Sequence, residues 1–131
     1  RVVFEDPEAR RDLEAIVHPR VAELAAARIE AARAEGAPLA VYDVPLLYES
    51  GLDRSLPEVC VVWASWPARK ARIAARDDLD EDEIEARMRA QMPLEDKRAR
   101  ADHVIDNDGD RAACRRQVDA LYATLTKEAP P

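Results

Sequence analysis

Leu39-Ala40-Val41-Tyr42-Asp43-Val44-Pro45-Leu46-Leu47-Tyr48-Glu49-Ser50-Gly51 is the stretch on which the fold turns. Its first half, Leu39 to Val44, reads as a short buried strand. Its second half, Pro45 to Ser50, reads as a short apolar helix closed by Gly51. A strand that ends in Asp-x-Pro and rolls into such a helix is one way α/β folds build the mouth of a site. Ligands in these folds bind beyond the carboxyl ends of the parallel strands. Downstream, Pro57-Glu58 introduces Val59-Cys60-Val61-Val62-Trp63. A continuous apolar run of this kind suits a parallel strand covered on both faces. His103-Val104-Ile105 is the last strand, ended by Asp106-Asn107-Asp108-Gly109. Three strands alternating with helices indicate a parallel α/β sheet.

The helices are punctuated by their caps. Asp6-Pro7-Glu8 reads as an N-cap, a first-turn proline and an acidic first turn. The helix it opens carries Leu13, Ile16 and Val17, and is expected to stop before Pro19. That proline is expected to start a second helix, with Gly36 as its C-terminal cap. Pro67 opens a helix to about Arg76, Asp80 caps Glu81 to Gln91, and Pro93 opens a short, highly charged one. A final amphipathic helix carries Val118, Leu121, Tyr122 and Leu125, and is expected to fray into Glu128-Ala129-Pro130-Pro131.

Composition bounds the function. The 131 residues suffice for one domain or part of one. The net charge of -7 argues against nucleic-acid and membrane partners, which need basic faces. It leaves room for a local basic pocket: of 20 Lys and Arg, 17 are arginine, whose planar fork fits phosphate. Cys60 and Cys114 read as small apolar side chains in a reducing cytoplasm. With two His and no Cys-x-x-Cys, no metal-ligand cluster is expected. Only Gly36, Gly51 and Gly109 are present and none precedes lysine. A phosphate-cradling loop ending in Gly-Lys-Ser/Thr is therefore not in this sequence.

Several residues carry two readings each. Arg69, Arg72 and Arg76 lie at i, i+3 and i+7 and share a helix face. They either surround the oxygens of a transferred phosphoryl group or form a solvated face paired with the acidic stretch Asp77 to Glu85. His18, expected at a helix–helix corner, either caps backbone or donates to a substrate hydroxyl or phosphate. Glu49 is either a solvated carboxylate or an acceptor for a polar ligand beside Leu46 and Leu47. Asn107 with Gly109 forms a turn on local grounds, and stands where a base-binding loop would sit.

Taken in order, the motifs are far more specific than any one of them. His18-Pro19 comes first, then Val44-Pro45-Leu46-Leu47-Tyr48-Glu49, then Arg72-Ile73-x-x-Arg76-Asp77. Gln91 and Lys97 follow, then Ala101-Asp102-His103-Val104-Ile105-Asp106-Asn107 and Gly109. The series closely resembles the dephospho-CoA kinase family, across essentially the whole chain. The resemblance implies a three-layer P-loop kinase-like parallel sheet, here incomplete because the first strands and the P-loop are missing, with helical acceptor and lid regions. It implies one partial domain: a helical acceptor-binding region at 1–37, core strands at 38–66, a lid at 67–101, and the last strand and C-terminal helix at 102–131. It implies transfer of the γ-phosphate of ATP, with Mg²⁺ bound through the missing P-loop segment, to the 3′-hydroxyl of dephospho-CoA. His18, Pro45, Leu46, Leu47 and Glu49 would line the acceptor site. Arg72 and Arg76 would be catalytic, flanking the lid. Lys97, Asn107 and Gly109 would lie on the ATP side. The chain is expected to be an N-terminally truncated and inactive piece. Another P-loop kinase of small metabolites or nucleotides, or a helical interaction fragment without catalysis, remain the alternatives.

Overall fold

The computed structural model describes residues 6–77 and 79–127. The chain divides into two compact units, Arg1–Asp43 and Val44–Pro131. The first unit is built on one helix, α1 (Pro7–Ala34). The Asp6 carboxylate starts it by accepting hydrogen bonds from the Glu8 and Ala9 N–H groups at 2.9 and 3.1 Å. The expected break at Pro19 does not occur, and Pro19 lies inside the helix. An interior proline removes one rung of the ladder. The flanking sequence, rich in Ala, Leu, Arg and Glu, has enough intrinsic helix propensity to carry the helix past it. Exposed Arg20–Glu23 and Glu30–Arg33 pairs add i,i+3 support. Gly36 ends the helix at φ 74°, a left-handed conformation suited to glycine. There the Gly36 and Ala37 N–H groups close onto the Arg33 and Ala32 carbonyls.

The strand expected at Leu39 to Val44 does not form; no ladder involves these residues. A strand needs a neighbour for its N–H and C=O groups. The neighbour implied by the resemblance is the P-loop strand, whose motif this sequence does not contain. Val41 is accordingly 85% exposed.

The second unit holds β1 (Cys60–Trp63), α2 (Trp66–Arg76), α3 (Glu81–Arg89), α4 (Leu94–Arg100), β2 (His103–Asp106) and α5 (Arg111–Lys127). The two strands run parallel, with Val61 opposite Val104 and Trp63 opposite Asp106. The α/β class therefore holds, with a two-stranded sheet among the described residues. The expectation that the second apolar run is covered on both faces fails. Val61 is 7% exposed and its neighbour Val62 is 57% exposed, because only one face is packed. Side chains extend the short ladder at both ends. An Asp102 Oδ accepts from the Val59 N–H at 2.8 Å, one residue before the strand. The Gln117 side-chain amide, on α5, donates to the Asp106 carbonyl and accepts from the Asp106 N–H.

The segment from Pro45 to Ser50 forms hydrogen-bonded turns rather than a helix, followed by a 3₁₀ turn at Leu52–Ser55. The Ser50, Gly51 and Leu52 N–H groups bond back to Leu46, Tyr48 and Leu47 carbonyls, and Gly51 takes φ 74°. These turns put Tyr48 into the core with Val59 and Val61. Leu47, Leu56, Trp63, Met92 and Leu94 pack around them. Arg100 stacks 4.4 Å from the Tyr48 ring centroid and pairs with Asp53 at 2.6 Å. Ile84, only 2% exposed, lies on α3, which packs on α2. Lys70 pairs there with Glu81 and Glu85. Asp80 and Glu83 form a reciprocal capping box at the start of α3. Among the described residues no helix is long and apolar enough to cross a membrane.

Arg100 is the clearest single support of the turn segment. Arg100→Ala leaves the largely buried Asp53 carboxylate without its cation, and should lower unfolding stability by about 1–3 kcal/mol. Arg89→Ala removes only an exposed i,i+4 pair and should change it by less than about 1 kcal/mol. Urea unfolding of the two variants checks the ranking; equal effects would refute it.

Candidate active site

The α2 helix carries Arg69, Ile73 and Arg76 at i, i+4 and i+7, and these side chains form one wall of an open cleft. Arg87 and Met88 of α3 and Lys97 of α4 contribute to the opposite side, with Gln91 and Met92 between them. The cleft has a volume of about 250 Å³. Four cationic side chains reach it against one carboxylate, Asp77. A small site with this balance attracts multiply charged anions.

The four cations are not equivalent. Arg76 is held by its neighbour: Nε and Nη2 donate to the two Asp77 oxygens at 2.8 and 2.9 Å. That bidentate hydrogen bond is the main reason Asp77 titrates below its ordinary range, helped by the Arg76 and Arg87 charges and opposed by burial. Lys97 is only 7% exposed. Its ammonium lies 2.7 Å from Glu49 Oε1 and donates to the Pro45 carbonyl at 3.3 Å. Arg69 makes no hydrogen bond or ion pair among the described residues, and its Nε is buried without a partner. It sits 5.6 Å from the Trp66 ring centroid. Arg87 makes no hydrogen bond among the described residues either, and faces Asp77 through its charge alone.

Glu49 is the hinge of this arrangement. One of its oxygens takes the Lys97 ammonium and also accepts from the Met92 N–H at 2.9 Å. Burial pushes its carboxyl up. The hydrogen bond from Lys97, two backbone N–H groups and the Lys97 charge outweigh that and leave it below the ordinary value. The turn at Pro45–Ser50 is thereby tied to α4 and to the residues just before it.

The structure thus brings together Pro45, Glu49, Lys97 and Arg76. Leu47 packs into the core beside them, and Leu46 is exposed. Arg72 is exposed on α2 and does not line the cleft. His18 belongs to the first unit; it lies mid-helix and exposed rather than at a corner, because α1 does not break. Asn107 and Gly109 follow β2. The Asn107 N–H donates to the Trp63 carbonyl at 2.7 Å, and Asp108 Oδ1 accepts from the Ser65 N–H, fastening the loops after both strands to each other. Arg87 and Met88 were not singled out from the sequence; their spacing on a charged helix does not distinguish them from surface. Among the described residues no three His, Cys, Asp or Glu side chains converge into a group that could hold a metal ion.

A dephospho-CoA kinase family profile matches residues 1–113. A dephospho-CoA kinase of Symbiobacterium thermophilum is 52% identical over 122 residues, covering 93% of this chain and 51% of that one. One from Anaeromyxobacter dehalogenans is 50% identical, covering 94% and 58%. A crystal structure from Thermus thermophilus superposes with a TM-score of 0.79 at 42% identity, covering 95% of this chain and 63% of that one. A Campylobacter jejuni dephospho-CoA kinase gives 0.67 at 28%, covering 96% and 62%. The chain therefore spans between half and two thirds of the length of these relatives.

The Glu49 pairing has a pH signature. A carboxyl depressed in the folded state stabilises the fold above its unfolded value, near 4.5, and that contribution disappears as pH falls through the lower folded value. Glu49→Gln should be less stable than the parent near neutral pH, and the gap should close in acid. Denaturant melts across pH check this; a pH-independent gap would mean that the charge on Glu49 contributes nothing.

Proposed function

This chain belongs to the dephospho-CoA kinase family, and from that premise we propose that it carries the acceptor, lid and C-terminal portions of a phosphotransferase. The reaction is transfer of the γ-phosphoryl group of ATP to the 3′-hydroxyl of dephospho-CoA. The observation that supports it best is the cation-lined cleft fastened to the Pro45–Ser50 turn by the Glu49–Lys97 pair. Phosphoryl transfer asks the protein mainly for positioning and for positive charge around the equatorial oxygens. A cleft with three arginines and a lysine offers that charge, and the adjoining turn offers a wall for the acceptor.

In this reading His18, within residues 1–37, is an acceptor-binding residue, and so are Pro45, Leu46, Leu47 and Glu49 of the second unit. Residues 38–66 hold the core, 67–101 act as the lid, and 102–131 close the domain. Arg76, with Arg72 at the lid's edge, stabilises charge that spreads during transfer. Lys97 has three donors, of which Glu49 and Pro45 take two, leaving one for a phosphate oxygen. Asn107 and Gly109 border the ATP base. Magnesium accompanies ATP on donors outside the described residues. The free thiols of Cys60 and Cys114 support placement in a reducing cytoplasm.

The coding DNA upstream of Arg1 provides the test. It should encode a Gly-x-x-x-x-Gly-Lys-Ser/Thr loop, and the product that includes it should phosphorylate dephospho-CoA at the expense of ATP. The 131 residues alone should not. In the longer product Arg76→Ala should lower kcat on the order of a hundredfold or more, by analogy with larger arginine-finger effects, and Arg28→Ala should do little. ATP turnover without phosphorylated CoA product would overturn the acceptor assignment.

A further inference from the structure

We propose that Arg69 is an anion-binding residue of the cleft, taking oxygens of the phosphoryl chain through its guanidinium; the proposal rests on the phosphotransferase reading and names a residue that the family resemblance does not supply.

Two of the four cleft cations already have partners. Arg76 is engaged bidentately by Asp77, and Lys97 by Glu49 and the Pro45 carbonyl. A ligand would have to displace a carboxylate to use Arg76 fully. Arg87 is exposed, so water compensates its charge. Arg69 differs from all three. It lines the cleft, it is half-buried, and its Nε has neither solvent nor a hydrogen-bond acceptor. The nearest acidic influence is Glu95, whose Oε1 instead accepts the Trp63 indole N–H at 2.7 Å. Burial accordingly pulls the guanidinium's affinity for its proton down, with Glu95 opposing.

An unpartnered buried donor costs about 1–3 kcal/mol, more when it is charged. A long apolar side chain could fill the space beside Trp66 without that cost. What the guanidinium adds is an uncompensated charge and an edge formed by Nε and one Nη, which matches two oxygens of a phosphate. In the present pose the guanidinium carbon lies over the Trp66 ring, 5.6 Å from its centroid. An anion in the cleft supplies the missing counter-charge, and a pivot of the guanidinium off the indole gives Nε its acceptor. Occupancy of the cleft is then reported by the indole of Trp66.

The test uses the full chain and inorganic tripolyphosphate as the probe, at low ionic strength, read by tryptophan emission in a Trp63→Phe background and by calorimetry. The parent should bind weakly with a change in Trp66 emission. Arg69→Met, which keeps the apolar stem, should bind at least about tenfold more weakly, the loss of one charge-assisted hydrogen bond, and lose the emission change. Arg69→Lys, which keeps charge without the fork, should fall between. Arg115→Met, an exposed arginine on α5, should match the parent. Circular dichroism and urea midpoints confirm that each variant folds; if Arg69→Met does not, Arg69→Lys carries the comparison. Binding unaltered by loss of Arg69, or no binding by the parent, overturns the proposal. The two readings fail separately. Arg69-dependent tripolyphosphate binding without ATP-dependent phosphorylation by the longer product removes the kinase assignment and leaves Arg69 standing. Phosphorylation with Arg69-independent binding does the reverse.

Discussion

A lysine ammonium taken almost wholly out of water must be paired, and the pairing of Lys97 organises the second unit. An isolated buried charge would cost several kcal/mol even after local relaxation. Here the ammonium is held between a carboxylate and a backbone carbonyl that lie on the same turn, Pro45–Ser50. The Glu49 oxygen that receives it also receives the Met92 N–H. One carboxylate therefore joins the turn, the residues before α4 and α4 itself. Beside them Tyr48 points into the core, and Arg100 of the same helix closes over its ring. The core of Tyr48, Val59 and Val61 is small, so the charged latch above it matters more than it would in a larger domain.

The same logic sorts the cleft. Its cations divide into those held by neighbouring carboxylates and those left for something else. Arg76 and Lys97 are preorganised by Asp77 and Glu49, which fixes their position but weakens their field. Arg69 and Arg87 keep their field, one in a half-buried setting and one in solvent. Electrostatic stabilisation is strongest from charge that is already desolvated. By that criterion Arg69, half-buried with an unpartnered Nε, is better placed to act on an anion than the exposed Arg72.

Much of the fold was legible because its signals are local. Asp6, Asp80, Gly36 and Gly51 act as caps and turn closers where the sequence placed them, since each works through hydrogen bonds within a few residues. Two of the failures show a physical origin in context. Pro19 is a helix breaker by rule, yet one lost rung is outweighed by strong helix formers on both sides. Leu39 to Val44 has the composition of a strand, but a strand is a property of a pair, and no ladder partner for it exists among the described residues. The site was legible only by residue type. Glu49 and Lys97 were assigned to different substrates, and nothing at a separation of 48 positions announces that they bond to each other. Arg69 was visible as part of a face, but its missing partner is a three-dimensional fact.

The sheet shows how a short ladder survives without backbone neighbours. Two strands of four residues are marginal in water on their own. Here the ends are extended by side chains that imitate backbone. The Asp102 carboxylate takes the Val59 N–H as a carbonyl would, and the Gln117 amide meets both backbone groups of Asp106 as a neighbouring residue would. Asp108 then binds the Ser65 N–H, so the loops leaving both strands are held together at their carboxyl ends. That is the end from which α2 departs with Arg69 and Arg76. The start of α2 is thus tied to the loop after β2 by a polar side chain, whereas the apolar content of the strands, which is what the sequence displays most plainly, sets where the ladder runs.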